Sequence, residues 1–416
     1  MGIMRVMKTL VVIGYVWPEP DSSAAGSRML QLIRLFQELD FRILFASAAE
    51  ESAHAPDLRA LGIEAVPIVL NCSSFNEWIA AVQPDAVMFD RFMMEEQFGW
   101  RVEEACPQAL RFLDMEDVHC LRDARHRALK ENRAVSAADF HSDLAYREIA
   151  SVLRCDLTFV ISEAEMTLLS EQFPVPLQQL CYTPFLVSEA VEEGPGFHER
   201  MHFVSIGNFR HAPNWDAVLQ LKALWPQIRR QLPQAEMHIY GAYPPPKATQ
   251  LHSPRDGFLV KGWAADASAV IGNARVMLAP LRFGAGLKGK LLDAARLGTP
   301  AVTTPVGAEG MYGELPAPAL IASEESAFVD AAVRLYSDEV LWSEHHRRGR
   351  QVIGERFSPD IQGHYVKKRL NDLMNGTSEQ RQGSFLSGML RHHSLKATRY
   401  MSQWIEAKNR LRQEED

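Results

Sequence analysis

"RFGAGLKGKLLDAARLGTPAVTTPVGAEG", residues Arg282–Gly310, places three glycines and two lysines in the seven residues from Gly284 to Lys290. A strand-like run, Val276–Leu281, precedes it, a helical run starts near Lys288, and a second strand-like run, Thr299–Thr304, follows. Strand, glycine loop, helix and strand in that order make one unit of a parallel α/β sheet. Glycine lets backbone approach a ligand closely, and a helix start offers unsatisfied N–H groups and partial positive charge. With Lys288 and Lys290 beside it, such a loop suits a phosphate or diphosphate. Asp293, about one turn beyond Lys290, offers a carboxylate to ribose hydroxyls. The same residues also fit a tight turn ahead of a helix that packs Leu291, Leu292 and Ala295 on the sheet, with both lysines in solvent. On physical grounds the two readings stand side by side.

Working outward, compact apolar runs recur through the N-terminal half: Thr9–Tyr15, Arg42–Ser47, Ala65–Leu70, Ala86–Asp90, Leu110–Met115 and Leu157–Ser162. Helix-length segments separate them, the first spanning Ser27–Leu39. This is βαβ repetition and predicts a doubly wound sheet. Around Cys181–Arg200 the pattern dissolves into prolines, glycines and acids. It restarts at Met201–Gly207, Ala235–Gly241, Phe258–Trp263, Val276–Leu281, Thr299–Thr304 and Ala319–Ala322. Two α/β domains with a cleft between them follow, and ligands of open α/β sheets lie beyond the carboxyl ends of the strands. The boundaries are 1–185, a linker 186–200, 201–356, a helical segment 357–374 and a tail 375–416.

Composition agrees. The 416 residues exceed one core; 47% are hydrophobic and 23% charged, an ordinary soluble mixture. No apolar run reaches the length of a membrane span, and the basic start, Met1–Lys8, leads into the first strand without a cleavage site. The five cysteines are scattered, which fits a reducing cytoplasm. A net charge of -8 argues against general nucleic-acid binding.

Several motifs in order carry a resemblance. Gly284–Gly310 resembles the donor-binding segment of retaining GT-B glycosyltransferases of the large family 4 (group 1) type, with Asp293, Ala294, Gly298, Pro300 and Val302 in the places of its acidic–Ala–x–x–x–Gly–x–Pro–Val–Val run. "PVGAEG" (Pro305–Gly310) is similar to the loop that follows. "VSIGNFRHAPNWDAV" (Val204–Val218), "PDSSAAGSR" (Pro20–Arg28) and "DMEDVHCLRDAR" (Asp114–Arg125) resemble other segments of that family. The resemblance implies two facing Rossmann-like domains, an N-terminal acceptor domain, a C-terminal nucleotide-sugar domain, and a crossover helix at Phe357–Met374. It implies sugar transfer from a nucleoside diphosphate sugar to a hydroxyl acceptor, with retention, in glycan, polysaccharide or glycolipid assembly. Many family members have two glutamates eight residues apart; here Asp293 holds the second place and Ala285 the first. An arginine and a lysine that often hold the diphosphate are replaced by Asn208 and Pro213.

The donor-site candidates are therefore Gly207, Arg210, His211, Arg282, Gly284, Gly286, Lys288, Lys290, Asp293 and Glu309, with Arg210 and His211 alternatively solvated loop residues. Asp114, Asp117 and His119 are the catalytic candidates, at the end of the fifth strand. Three carboxylates so close, counting Glu116, repel each other and need cations such as Arg122 and Arg125. A salt-bridged loop with His119 at a helix start is the competing reading. Asp90 and Arg91 form another cleft-edge pair, and Met93–Gln97 reads as a solvated helix start. Gly26 and Ser27 face the cleft, or Ser22, Ser23 or Ser27 caps the helix. The fourteen histidines are dispersed, so no metal and no cofactor beyond the sugar nucleotide are expected. A nucleotide-sugar epimerase of similar fold and a non-catalytic scaffold are the alternative functions. In the tail, Phe385–Arg412 sets Arg391, Lys396, Arg399, Lys408, Arg410 and Arg412 against Glu406 alone. With Met401, Trp404 and Ile405 this predicts a basic amphipathic helix. It either lies on the inner face of a membrane or packs on the enzyme or a second subunit.

Overall fold

The structure, a computed structural model, describes residues 7–52, 54–187, 194–376 and 385–415. The basic first residues, part of the linker and the break at 377–384 lie outside the described residues. So do the side chains of 393–395 and 413–415.

The N-terminal sheet contains β1 (Lys8–Gly14), β2 (Phe41–Ser47), β3 (Ile63–Pro67), β4 (Ala86–Asp90), β5 (Leu110–Asp114), β6 (Leu157–Val160) and β7 (Leu180–Tyr182). All pairs are parallel, in the order β3-β2-β1-β4-β5-β6-β7. Leu10, Val11, Val12 and Ile13 are fully buried, as a central strand covered on both faces requires. The C-terminal sheet contains β8 (Met201–Ile206), β9 (Met237–Tyr240), β10 (Phe258–Gly262), β11 (Ala274–Ala279), β12 (Ala301–Thr303) and β13 (Ala319–Ile321). It too is parallel, in the order β10-β9-β8-β11-β12-β13. Strand order reverses at β1/β4 in one sheet and at β8/β11 in the other. Each reversal opens a crevice at the carboxyl ends of the strands, and the loops from the two crevices meet.

Three sequence expectations are corrected. β7 lies where the pattern was read as breaking; three residues are too few to show a period. The first helix starts at Ala24, three residues early, because the Ser23 hydroxyl accepts the Gly26 N–H at 3.1 Å. Met93–Gln97 is not a solvated start: Glu95 is buried and paired with Arg154, whose Nε donates to its carboxylate at 2.9 Å.

After β13 the helix Glu339–Arg356 lies on the helix Gly289–Arg296 of the C-terminal domain. The chain then crosses through Pro359–Gly363 into the helix His364–Asn375. There Val366 and Leu370 are buried in the N-terminal core beside Phe36 and Phe41. The two interdomain crossings touch, since Val187 N–H donates to the Phe357 carbonyl at 2.8 Å. The tail helix, Phe385–Glu415, packs on the N-terminal helices Phe92–Ala105 and Asp143–Arg154.

Candidate functional site

The loop after β11 reaches the N-terminal domain. Gly286 has φ +64°, and a Cβ there would stand 2.9 Å from Asp117 Cβ; one on Gly289 would stand 2.5 Å from Ala24 Cβ. Side chains at either place would push the domains apart. The helix Gly289–Arg296 begins immediately after, with Lys288 at its N-cap position. Leu291, Leu292, Ala294 and Ala295 are buried against the sheet. The packing reading of this stretch therefore holds, and it leaves Lys288, Lys290 and Asp293 on the opposite side, lining a cavity of about 770 Å³ between the domains.

Both lysines rest on neutral oxygens. Lys288 Nζ donates to the Ala285 carbonyl at 3.0 Å and the Gly286 carbonyl at 2.5 Å. Lys290 Nζ donates to Asn214 Oδ1 at 2.9 Å. Burial, then the charge of Lys288, brings the Lys290 ammonium down to about 8. Burial lowers Lys288 as well, against the attraction of Glu165 and Glu309. Burial likewise raises the Asp293 carboxyl, and burial followed by Arg122 pushes His211 down to about 4. On this wall neither ammonium bonds a carboxylate, an arrangement that a diphosphate would complete.

A testable consequence concerns protons. Above about pH 8 Lys290 is mostly neutral in the empty protein, and a bound diphosphate favours its ammonium form. Nucleotide binding at pH 8.5 therefore takes up protons, and affinity declines as pH rises from about 8 toward 10.5. Calorimetry in two buffers of different ionisation heat measures this; zero net uptake would place Lys290 away from the phosphates.

The facing wall comes from β4, β5 and β6. Asp117 is bonded to Arg122. Burial opposes its charge, but Arg122, His119 and His211 together hold its pKa down to about 2. It is an anion at neutral pH. His119 Nδ1 lies 3.0 Å from the Asp117 carbonyl oxygen and 3.4 Å from Glu148 Oε1. Glu148 accepts the N–H groups of His119 and Cys120, both at 2.8 Å, and so fixes the start of the helix His119–Lys130. Glu165, buried, accepts the N–H of Val118 at 2.8 Å and of Gly286 at 2.8 Å. It thereby ties the Asp117–His119 turn to the glycine loop. Its burial, then Asp117, raises its pKa.

Two clasps join the domains beside the cavity. On one side Arg125 donates to Glu309 through both terminal nitrogens, at 2.8 and 2.6 Å, and to the Gly284 carbonyl at 2.8 Å. His126 stacks on Phe283 at 4.3 Å. On the other, Tyr243 donates to Glu19, with both carboxylate oxygens at 3.2 Å, and His54 stacks on Trp263 at 4.1 Å.

Of the candidates read from sequence, Gly26, Ser27, Asp117, His119, Gly207, Arg210, His211, Gly284, Gly286, Lys288, Lys290 and Asp293 line the cavity. Arg210 lies on the Tyr243 ring, 3.7 Å from its centre. The donors of Gly26 and Ser27 are already used, the first by Ser23 and the second by the Pro20 carbonyl at 3.0 Å. Three candidates lie off the cavity. Asp114 is fully buried behind it, 2.9 Å from Arg28 Nη2 and 3.0 Å from Arg28 Nε. Arg282 turns outward to Asp216, Nε to Oδ2 2.9 Å. Glu309 is held in the clasp. Glu116 lines the cavity instead, at φ +65°, its carboxyl pushed up to about 8 by burial and then by Asp114. Asp90 and Arg91 join it there. Glu165, Tyr243 and Trp263 had no motif to mark them.

The expectation of dispersed histidines is also corrected. His202, Glu236 and His238 place ligand-type atoms within 4.8 Å of one another. They meet across neighbouring strands, which sequence spacing hides. The group sits at the amino ends of β8 and β9, away from the cleft, and faces the charges of Arg275 and Lys261. Glu236 N–H donates to His202 Nδ1 at 3.3 Å.

Residues 200–338 match the family model described as glycosyl transferases group 1. No curated protein matches by sequence. Among solved structures, TarM superposes with a TM-score of 0.68 at 10% identity, over 89% of this chain and 99% of that one. Sucrose-phosphate synthase from Thermosynechococcus elongatus gives 0.64 at 13%, over 89% and 100%. HepE from Anabaena, solved with UDP, gives 0.64 at 10%, over 88% and 100%. A mutant S. aureus TarM in complex with fondaparinux, α-GlcNAc-glycerol and UDP gives 0.57 at 13%, over 71% of this chain, which spans 58% of that one. The fold is GT-B, two facing α/β domains. Among the described residues no helix is long and apolar enough to cross a membrane.

Proposed function

We propose that this chain is a glycosyltransferase that moves a sugar from a nucleoside diphosphate sugar to a hydroxyl acceptor, with retention, in glycan, polysaccharide or glycolipid assembly. The observation that carries this reading is the glycine–lysine loop at a helix start on the wall of the interdomain cavity. Its support is the group 1 match over that domain and the UDP bound in GT-B neighbours. The nucleotide lies on the C-terminal domain. Asp293 takes the ribose, and Lys288, Lys290 and the helix start take the diphosphate. Negative charge grows on that diphosphate as the bond to the sugar breaks, so preorganised cations there lower the barrier. Retention brings the acceptor hydroxyl to the face the diphosphate leaves. Its oxygen bonds to the sugar carbon, and its proton passes to the departing phosphate oxygen. Asp117 and His119 orient sugar and acceptor hydroxyls; Asp117, held as an anion, only accepts hydrogen bonds. Asp114 positions this wall from behind through Arg28.

The direct test is release of nucleoside diphosphate across a panel of sugar nucleotides with and without hydroxyl acceptors. Acceptor-dependent release supports transfer, whereas a changed sugar without acceptor marks an epimerase and silence across the panel a scaffold. No observation favours either alternative. Within this reading, Asp293→Asn raises the donor KM about tenfold while kcat stays within about threefold, because a ribose contact is kept in the transition state. Steady-state kinetics reads it, and a fall in kcat at unchanged KM would move Asp293 into the chemistry.

A further inference from the structure

The tail helix is turned inside out. Its inward face is polar: Ser387 and Ser402 are buried, and Gln179 donates to the Ser387 hydroxyl at 3.1 Å and Arg101 to the Ser402 hydroxyl at 3.0 Å. Arg391 and Arg399 reach Glu103 and Glu104 at 3.8 and 3.2 Å, and Glu406 accepts the Ser73 N–H at 3.0 Å. Its outward face carries large apolar side chains, with Lys396, Gln403 and Lys408 among them. Phe385 is 84% exposed, Tyr400 64%, Met401 65%, Trp404 63% and Leu411 61%, while Ile405 is half-buried. A helix docked for stability alone would face the other way.

At about 100° per residue, Phe385, Met389, Tyr400, Trp404 and Leu411 fall within an arc of roughly 100°. Lys396 and Lys408 lie on or beside the same arc and are exposed, and Lys408 stands 5.2 Å from the Trp404 ring centre. The strip is about 39 Å long at about 1.5 Å per residue. With a width of about 10 Å it offers roughly 400 Å², about half of what one partner contributes to a stable dimer. That area is small for a second copy. A long, narrow line of aromatic and aliphatic side chains punctuated by lysines matches a surface that is flat, apolar beneath and anionic on top. The acids Glu414, Glu415 and Asp416 come after it in the chain.

We infer that the outward face of Phe385–Leu411 lies on an anionic lipid surface, with the inward face bolting the N-terminal domain to it. This concerns localisation and stands whether or not the sugar-transfer reading does. The test is co-sedimentation of the full chain with vesicles of phosphatidylglycerol and phosphatidylcholine, and of phosphatidylcholine alone, at low and physiological salt. Tyr400→Ser, Trp404→Ser and Leu411→Ser are combined in one variant, and Lys396→Glu with Lys408→Glu in another. All five sites are exposed, and thermal unfolding checks that both variants fold. Wild type binds the anionic vesicles, and each variant loses at least tenfold in partitioning, the lysine variant most at low salt. The inference is overturned if wild type ignores anionic vesicles at low salt, binds neutral ones equally, or binds unchanged in the serine variant. It is equally overturned if sedimentation velocity shows dimers, lost in the serine variant, without vesicle binding.

Discussion

Lys288→Ala and Lys290→Ala each weaken binding of a nucleoside diphosphate at least tenfold, and together about 100-fold. The reason lies in where the two ammoniums rest. In the empty site they sit on carbonyl and amide oxygens, and burial lowers the pKa of both. A diphosphate replaces those weak partners with charge-assisted bonds, each contributing about 1.5–3 kcal/mol. Titration calorimetry with UDP, GDP and ADP separates affinity from base preference. Both single variants binding within twofold of wild type would remove the glycine–lysine loop from the donor site, and with it the main support for the proposed function.

Arg28→Ala destabilises the chain by about 3–5 kcal/mol, the cost of leaving a buried carboxylate without its cation. Arg28 and Asp114 are both essentially inaccessible, 2.9 Å apart, and Asp90 adds a second negative charge nearby. Burial and Asp90 raise the Asp114 carboxyl, and Arg28 opposes them. Without Arg28 the carboxyl takes up a proton. Asp114→Ala strands the guanidinium instead, and the double variant loses less than the sum of the singles. Urea unfolding midpoints measure all three. Asp114→Asn separates position from chemistry: a stability loss with turnover falling in proportion to folded protein fits the buried pair. Full stability with lost turnover would return Asp114 to the reacting atoms.

The strands of both sheets were legible because central parallel strands are covered on both faces and read as unbroken apolar runs. β7 was not, since three residues at a sheet edge carry no period. The glycine–lysine loop was legible from its composition, and Asp293 from its distance along one helix. What sequence hid is whatever needs two distant segments to meet. Arg28 and Asp114 are 86 positions apart, and nothing along the chain says that one neutralises the other. Asp114 and Asp117 look alike in "LDMEDVH", yet one points behind the sheet and the other into the cavity. Glu165 sits in an ordinary helix start, and only the fold brings Gly286 to it. The tail was read as amphipathic, but which face it would show depended on where the N-terminal helices place Glu103, Glu104 and Arg101.

The paired crossings have a mechanical consequence. One covalent tether between two bodies permits swivelling as well as opening. Here two tethers meet at one described point, the bond from Val187 N–H to the Phe357 carbonyl at 2.8 Å. Both end in secondary structure anchored in its own core. Two adjacent pivots define an axis, and rotation about that axis is the one soft degree of freedom they leave. Opening about that axis would part the halves like the covers of a book, and closing would return the Gly286 N–H to Glu165.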